Sequence, residues 1–516
     1  MDFQIVQSEC LITRNLRKFS ALSDMKTTIR SALAQDSIVM TPKSTKPSIA
    51  ILMPMVWGIR NVVHSGVLER LATTGVQVHL LMRDFDPALL RVPAYADFSL
   101  ASSCQSLLHP PVKHNIKGRS FLRDVVQSAF NRRNKIGSYA LYRRWFERHH
   151  TPARRLRARA VEFLGTLAQP APIFFRLYTF YDSLYSLEYD LVPARAQLGK
   201  LAPDLIWSTV NIESTFERAY MLAARELGIP VVNSILSFDN LTSKAAHLVY
   251  DHYLVWSQGM KEQLLQFYPQ VPGSQVTVAG TPQFDFHCRP DFRWSRQETL
   301  ERLGLPSGVG YFLYTTGHQS LVPAEPDLVA RLARKMRENA GLKEQWLVVR
   351  THPLDHWGRW SGIENSSERV VLSPAWDSAP DGDGWALPSI DDQARFVSSL
   401  AHATACLNIA STTTLDAAIL DRPVIGIRFD RENDAPREIF YEEYDTDHYR
   451  PLVESGGLRL AHNWSELKDL MQQAINWPEQ DAHARTHMVA QECGVVDGRA
   501  CERVVDTILD YLAKLK

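Results

Sequence analysis

Several common signatures are absent from this 516-residue sequence, and each absence excludes a class of protein. No apolar run approaches the roughly 18–20 residues needed to span a bilayer, and the first 47 residues lack the apolar core of a signal peptide. The six cysteines show no CxxC or Cys/His ligand spacing, which favours reduced, packed thiols and a cytoplasmic location. GxGxxG, P-loop, GxSxG and HExxH motifs are missing, which argues against a dehydrogenase, kinase, serine hydrolase or zincin.

Net charge is also absent, because 57 Lys and Arg balance 57 Asp and Glu, and this argues against a nucleic-acid partner. The balance fails locally: residues 113–159 hold fourteen Lys or Arg and two acids. Within residues 139–164, aromatic and arginine side chains alternate, a pattern that suits contact with anionic lipid headgroups. The alternative is a solvated helical face whose arginines pair with acids elsewhere. The aromatic or large apolar members are Tyr139, Tyr142, Trp145, Phe146, Leu156 and Phe163.

From Ser48 onwards, short β-like runs alternate with longer amphipathic helices, which predicts an α/β protein with parallel sheets. We expect two doubly wound, Rossmann-like domains that face a central cleft. The predicted parts are a disordered leader (1–47), an N-terminal domain (48–285) with a basic helical insert (113–168), a linker (286–297), a C-terminal domain (298–497) and a terminal helix (498–516).

The stretch "NIASTTTLDAAILDRPVIGIRFD" (408–430) ends an apolar strand on four hydroxyl residues just before a helix. Free backbone N–H groups, hydroxyl donors and the helix dipole at such a junction suit a phosphate or diphosphate. Ser411, Thr412, Thr413 and Thr414 are therefore candidate phosphate donors, and Asp416 is a candidate acceptor for ribose hydroxyls. The alternative is a simple helix cap, for which Ser, Thr and an early acid are equally suited.

Three other stretches end strands on similar chemistry. In "YTTGHQ" (314–319) the strand ends at Thr316 and Gly317, where glycine lets the backbone approach a phosphate. In "VVRTHP" (348–353) Arg350 suits bidentate phosphate contact, and His352 is placed to donate to the same anion or to a base. A surface arginine and a turn before proline is the alternative there. "AGTPQFD" (279–285) returns to the predicted cleft.

These motifs, taken in order, carry a family resemblance. The set "PDLIWSTV", "LGIPVVNSILSFDNLTSK", "VWSQGMKEQL", "VAGTPQFD", "RTHP", "STTTLDAAILDRPVIGI" and "DGRACERVV" resembles the GT-B glycosyltransferases over residues 48–516. The nearest look-alikes are bacterial surface-carbohydrate enzymes, close to the Kdo-transferase and CDP-glycerol glycerophosphotransferase families. In that fold the donor binds mainly the second domain and the acceptor the first.

The resemblance implies donor phosphate at Ser411–Thr414, ribose near Asp416, and Arg350 with His352 beside the diphosphate. Asp416 stands where such enzymes often carry a glutamate, which is longer by one methylene.

The resemblance also directs the search for a catalytic base to the loop after the first strand, "VWGIRNVVHSG" (56–66). That loop contains Arg60 and His64, and an unperturbed histidine pKa suits base chemistry. A packed or surface histidine is the alternative for His64. Asp239 and Asn240 in "SFDNLTSK" are rivals, because their loop is expected to face the same cleft. We therefore predict His64 or Asp239 as the base, with Arg60 and Asn240 on the acceptor or phosphate side.

No metal and no cofactor are expected beyond the nucleotide-activated sugar itself. The sequence contains Asp-x-Asp at 84–86, 381–383 and 445–447, but about two such matches arise by chance in a chain of this composition.

The leading hypothesis is a metal-independent glycosyltransferase that moves a sugar or polyol-phosphate to a carbohydrate or lipid-linked acceptor in surface polysaccharide or glycoconjugate biosynthesis. It would be cytoplasmic, with peripheral contact at the inner membrane face through residues 139–164. A non-hydrolysing nucleotide-sugar 2-epimerase and a non-catalytic nucleotide-sugar-binding protein are the alternatives.

Overall fold

The computed structural model describes residues 45–139, 141, 151–210, 215–243, 250–319, 322–355, 357–363, 368–376, 387–429 and 442–515, and the statements below concern these. Residues 1–44 of the predicted leader, most of residues 140–150 and the Asp-x-Asp at 381–383 lie outside the described residues. None of the described helices combines the length and apolar composition needed to cross a bilayer.

The first sheet is parallel and has seven strands in the order β3-β2-β1-β4-β5-β6-β7. An inner strand, "SIAILM", is buried along its whole length, as expected for a strand that is covered by helices on both faces. The strands are β1 (Ser48–Met53), β2 (Gln77–Met82), β3 (Ser103–Ser106), β4 (Leu205–Ser208), β5 (Val231–Ser234), β6 (His252–Val255) and β7 (Val276–Val278).

The second sheet is also parallel and has six strands in the order β10-β9-β8-β11-β12-β13. These strands are β8 (Tyr311–Thr315), β9 (Trp346–Arg350), β10 (Val370–Ser373), β11 (Ala405–Asn408), β12 (Val424–Ile427) and β13 (Leu458–Ala461). The predicted fold class, two doubly wound α/β domains, is confirmed.

Helices cover both sheets. In chain order they are α1 (Val67–Thr73), α2 (Arg119–Arg133), α3 (Pro152–Ala168), α4 (Ala171–Glu188), α5 (Val192–Leu201), α6 (Thr215–Leu227), α7 (Asn240–Ser243), α8 (Gln258–Phe267), α9 (Asp285–Cys288), α10 (Arg296–Arg302), α11 (Glu325–Glu338), α12 (Ile390–Ala401), α13 (Thr413–Ile419), α14 (Arg450–Glu454), α15 (Trp464–Asn476), α16 (Ala482–Glu492) and α17 (Ala500–Lys514). A π-helical turn (Ile59–His64) precedes α1, and the remaining short turns are 3-10.

Strand order changes direction at one point in each sheet. In the first sheet β1 lies between β2 and β4, and in the second β8 lies between β9 and β11. The connections that leave β1 and β4 in the first sheet, and β8 and β11 in the second, therefore run in opposite directions, and such divergence opens a crevice at the carboxyl ends of parallel strands. The loops after β11 and β8 contain the hydroxyl and glycine motifs of the sequence, and Arg350 ends β9, the neighbour of β8.

The basic insert is helical, as the sequence predicts, but the helical run extends beyond residue 168. Helices α2 and α3 pack closely, because Gly165 lies against Ser128 with no room for a Cβ atom. Helices α4 and α5 then continue the run to Leu201. Ser138, which follows α2, forms hydrogen bonds with the second domain. Its N–H and hydroxyl donate to Asp447 at 2.7 and 2.9 Å.

The terminal helix α17 returns to the first domain. Its apolar face, which includes Val504, Ile508 and Leu512, packs into the cluster formed by β1, β2 and α1. The carboxylate of Asp285 accepts hydrogen bonds from the N–H groups of Ala500 (3.0 Å) and Cys501 (2.7 Å) at the start of this helix. The acid of "AGTPQFD" therefore caps α17. Burial raises the pKa of Asp285, and the two N–H donors oppose the shift.

Asp285→Ala should lower the free energy of unfolding by about 2 kcal/mol, because two buried N–H groups lose their acceptor. Asp285→Asn keeps one acceptor oxygen and should lose roughly half as much. Urea unfolding measures both. Equal stability of the alanine variant and the unmodified protein would contradict the capping role.

Candidate functional site

A cavity of about 380 Å³ lies between the two sheets, at the carboxyl ends of their strands. Its volume is within the range of small-molecule sites. The first domain contributes residues after β1, after β5 and around the 3-10 turn Pro282–Phe284. The second domain contributes residues after β8, β9, β10 and β11 and from α12. The cavity is therefore formed by the loops at both reversal points.

The hydroxyl stretch after β11 divides between the cavity and the core. Ser411, Thr412 and Thr413 line the cavity, and the N–H of Thr413 donates to Ser411 Oγ at 3.3 Å. Thr414 is fully buried: its Oγ1 lies 2.7 Å from the Tyr449 hydroxyl and accepts from Asn408 Nδ2 at 3.1 Å. Thr414 therefore belongs to the core. Strand β11 ends at Asn408, whose buried side-chain amide needs a hydrogen-bond partner, and Thr414 is that partner.

The backbone just before these hydroxyls is strained. Ala410 has a φ of +41°, a region that residues with a side chain rarely adopt. Its N–H donates to the Tyr444 hydroxyl at 2.9 Å, and burial raises the pKa of Tyr444. Such strain persists where the surroundings hold it, and it is concentrated at ligand sites.

Asp416 lies in the first turn of α13, lines the cavity and faces residues from the first domain. Nε2 of the buried His287 lies 3.1 Å from Asp416 Oδ1. Arg60, which follows β1, also lines the cavity and donates to the side chains of Gln283 and Asn61. Burial lowers the pKa of Arg60, and the negative charge of Asp416 opposes that shift. Arg60 and Asp416 thus bring opposite charges from the two domains to one cavity.

Arg350 and His352 both line the cavity after β9. Arg350 donates to the carbonyl of Ala375 at 2.9 Å, and its guanidinium lies 5.0 Å from the centre of the Phe396 ring. His352 Nδ1 accepts the N–H of Leu354 at 3.1 Å, so a neutral ring carries its proton on Nε2. Burial, with the nearby His318, lowers the pKa of His352 to about 4, and the ring is neutral at pH 7.

Thr316 and Gly317 follow β8 and also line the cavity. The hydroxyl of Thr316 accepts the N–H of His352 at 2.8 Å and so joins the ends of β8 and β9. The Gly317 N–H donates to both oxygens of Glu325 at 3.0 Å, and it is therefore not directed at a ligand. Burial raises the pKa of Glu325 to about 8. Glu325 therefore holds the loop after β8 in place from the buried side.

The predicted bases lie elsewhere. His64 is buried, does not line the cavity, and has no hydrogen-bond partner for its ring nitrogens among the described residues. Burial lowers its pKa to about 4. Asp239 accepts the Ser243 hydroxyl at 2.6 Å, and Asn240 accepts the Ser237 N–H at 3.0 Å, so both hold the turn that begins α7. Neither lines the cavity, and the catalytic roles of these residues stay predictions.

Some cavity residues were not assigned from the sequence. Trp57, Gln283 and His318 lie inside the quoted strand-end stretches, but neither periodicity nor phosphate-donor chemistry distinguishes them there. Trp376, Gln393 and Phe396 follow no recognisable motif. Trp57 and Trp376 come from different domains, and their ring centres are 5.5 Å apart. Sequence periodicity does not reveal that kind of contact. The six residues all line the cavity.

The described Asp-x-Asp pairs are in structural contacts. Asp86 accepts the N–H of Ala88 at 2.8 Å and caps a 3-10 turn. Asp445 pairs with Arg428, and Asp447 with Arg450 and Ser138. Within the described ranges, no three His, Cys, Asp or Glu side chains cluster as metal ligands would.

Comparison with solved structures identifies the architecture. A UDP-N-acetylglucosamine 2-epimerase matches with a TM-score of 0.51 and 14% identity over 91% of this chain and 97% of that chain. A protein described as the same enzyme from Listeria monocytogenes gives 0.52 and 12% over 91% and 98%. S. aureus MnaA in a structure with UDP gives 0.51 and 12% over 90% and 97%. No family model and no curated protein matches. At this identity the likeness establishes the fold, which is GT-B-like.

Replacing Thr414 tests the division of the hydroxyl stretch. Thr414→Val keeps the shape but leaves the Tyr449 hydroxyl and the Asn408 amide without this partner, and should lower the free energy of unfolding by about 1–3 kcal/mol. Thr412→Val, at an exposed position, is the matched control and should change it by less than about 0.5 kcal/mol. Chemical unfolding distinguishes the two. Equal losses would show that Thr414 is not the core member.

Glu325 should make stability depend on pH. Its pKa in the folded protein, about 8, lies above the ordinary value of 4.5, so the folded state binds more protons than the unfolded state between these values. The free energy of unfolding should therefore fall as pH rises from about 5 to 8, by at most about 1.4 kcal/mol per pH unit from this group. Glu325→Gln should remove that part of the slope.

A matched comparison exists in the first domain. Burial also raises the pKa of Glu217 to about 8, and its carboxylate accepts the Ser208 and Tyr250 hydroxyls. Glu217→Gln should remove a similar part of the slope, and the double variant should remove both. An unchanged slope in Glu325→Gln, with Glu217→Gln effective, would contradict the assignment for Glu325.

Proposed function

We propose that this protein is an enzyme that acts on a nucleotide-activated sugar bound in the cavity between its two domains. The observation that carries the proposal is the convergence of anion-binding chemistry at the two reversal points. Arg60 comes from the first domain, Arg350 from the second, and the hydroxyls of Ser411, Thr412 and Thr413 line the same cavity. Guanidinium and hydroxyl donors in one partly desolvated site suit a diphosphate.

The details of binding follow from the same residues. We propose that the diphosphate lies between Arg350 and the hydroxyls of Ser411 and Thr413, with the Nε2–H of neutral His352 as a further donor. Asp416 accepts ribose hydroxyls, and Arg60 approaches the diphosphate from the first domain. The fold likeness to MnaA, which was solved with UDP, supports a nucleotide ligand.

Two reactions use such a site. Epimerisation at sugar C2 is the reaction better supported by the comparisons, because the similar structures with TM-scores above 0.5 include UDP-N-acetylglucosamine 2-epimerases. It requires groups that remove a proton from carbon and return it. His318 and His352, whose ring centres are 5.5 Å apart, are the described imidazoles at the cavity.

Transfer of the sugar or polyol-phosphate to an acceptor is the second candidate. Asp416 is the single carboxylate among the described lining residues, and His352 with its lowered pKa is a weak base. A displacement needs one base and electrostatic support for the departing diphosphate, which is a smaller demand than removing a proton from carbon. The described cavity therefore supports transfer, whereas the fold likeness supports epimerisation.

One experiment separates these reactions. The protein is first screened by thermal shift against UDP, CDP, GDP, CMP and their sugars, because a ligand of the folded state raises the melting temperature. The donor that binds is then incubated in deuterated water and followed by proton NMR. Deuterium at C2 with a new epimer identifies the epimerase, and nucleotide release that requires an acceptor identifies the transferase. Binding without turnover identifies a non-catalytic protein, and no binding to any nucleotide contradicts the proposal.

The two arginines can be tested separately from turnover. Arg60→Gln should weaken nucleoside-diphosphate binding by about 1.5–3 kcal/mol, the range for hydrogen bonds to charged groups. Arg350→Lys should lose part of that amount, because lysine keeps the charge but not the planar fork. Calorimetric titration measures both, and Arg334→Gln, exposed on α11, is the charge-matched control. Unchanged affinity in Arg60→Gln and Arg350→Lys would remove both residues from the site.

A further inference from the structure

Helix α3 (Pro152–Ala168) and the start of α4 carry a group of exposed apolar side chains. The exposed fractions are 70% for Leu156, 65% for Phe163, 55% for Leu167 and 50% for Ile173, and Leu164 is exposed as well. Leu156, Phe163 and Leu167 are seven and four residues apart, so they form one row along the helix. An apolar row of this kind on a soluble surface indicates an interaction site.

The position of α3 explains why this row points outward. Its opposite face, with Val161, Gly165 and Ala168, is buried, and Gly165 sits directly against Ser128 of α2. A helix with one apolar row packed on its neighbour leaves a second apolar row facing away from the protein. The second row is therefore not a part of the insert's own core.

Basic side chains accompany the row. Arg159 lies three residues after Leu156 and four before Phe163, which places it between them on the same face. Arg154 and Arg159 are exposed and form no ion pair within the part of the chain that the structure describes. Arg157, on another face, is already paired with Asp124 at 2.7 Å. Positive charge thus borders apolar surface.

We propose that this face of α3, defined by Leu156, Arg159, Phe163, Leu164 and Leu167 and extended by Ile173, lies on an anionic lipid bilayer. The helix lies parallel to the membrane, its apolar row enters the boundary between headgroups and acyl chains, and Arg159 contacts the headgroup phosphates. The proposal goes beyond the chemistry in the cavity. It also replaces the stretch 139–164 with one face of α3, which begins within that stretch and continues past its end.

Charge decides between a membrane and a second copy of the chain. A two-fold dimer through this face would bring Arg159 towards its own copy, in an insert that already has an excess of positive charge. An anionic bilayer offers opposite charge and an apolar phase together. A lipid surface therefore satisfies both parts of the face.

Vesicle flotation with the full chain tests this proposal. The protein should float with phosphatidylcholine vesicles that contain phosphatidylglycerol, and less with phosphatidylcholine alone or at high salt. Arg159→Gln should reduce binding to the anionic vesicles about 5-fold. Leu156→Gln with Phe163→Gln and Leu167→Gln should reduce it at least about 100-fold, since the apolar contact is lost.

Matched controls exclude general effects. Trp477→Gln with Val495→Gln removes exposed apolar side chains elsewhere, and Arg91→Gln with Lys343→Gln removes two exposed positive charges outside the insert. Both controls should float like the unmodified protein, and melting temperatures show whether each variant is folded. Absence of flotation with anionic vesicles at low salt would overturn the proposal. Light scattering that shows a dimer which the apolar variant converts to a monomer would overturn it in favour of self-association.

Discussion

The arrangement of this molecule depends on the carboxylate of Asp285. The chain crosses between the domains after the first sheet and crosses back at α17, and Asp285 at the first crossing binds the N–H groups that open the second. The same short segment carries Gln283, which accepts from Arg60, and His287, which lies beside Asp416. The Asp285 cap therefore fixes the segment that connects the two domains. That segment positions Gln283 and His287 for their contacts with Arg60 and Asp416.

Desolvation determines the charges around the cavity. Burial lowers the pKa of His352 to about 4 and raises that of Glu325 to about 8, so that both groups are mainly neutral at pH 7. A protonated Glu325 does not neutralise the guanidinium groups of Arg60 and Arg350. Two guanidinium groups and the carboxylate of Asp416 then line the cavity, and this excess of positive charge favours an anion.

Fold and reaction are separate questions in this protein. The GT-B-like arrangement positions the loops after β1, β8 and β11 at one cavity, but it does not select the reaction, because function depends on the particular side chains that line the site. The likeness to solved structures therefore establishes the fold, and the reaction depends on the residues that line the cavity. The outward face of α3 is a third, independent property, since it belongs to the insert and not to either sheet.

Local sequence patterns are sufficient to predict the two parallel α/β sheets. Buried strands such as "SIAILM" and "YFLYT" and the amphipathic helices between them predict parallel sheets, because apolar runs and helical periodicity are properties of neighbouring residues. The same patterns found the strand ends at Arg350 and Ser411. The weakly apolar strand β3 and the helices α4 and α5 are not among the predicted elements.

Contacts between distant residues could not be read in this way. Thr414 is in the core because Tyr449 and Asn408 meet it there, Gly317 is bonded because Glu325 lies beneath it, and Asp285 caps a helix that begins 215 residues later. The ordinary pKa of histidine suits base catalysis, but burial lowers the pKa of His64, and its ring does not line the cavity. Each outcome depends on burial and partners from remote parts of the chain, which no local pattern records.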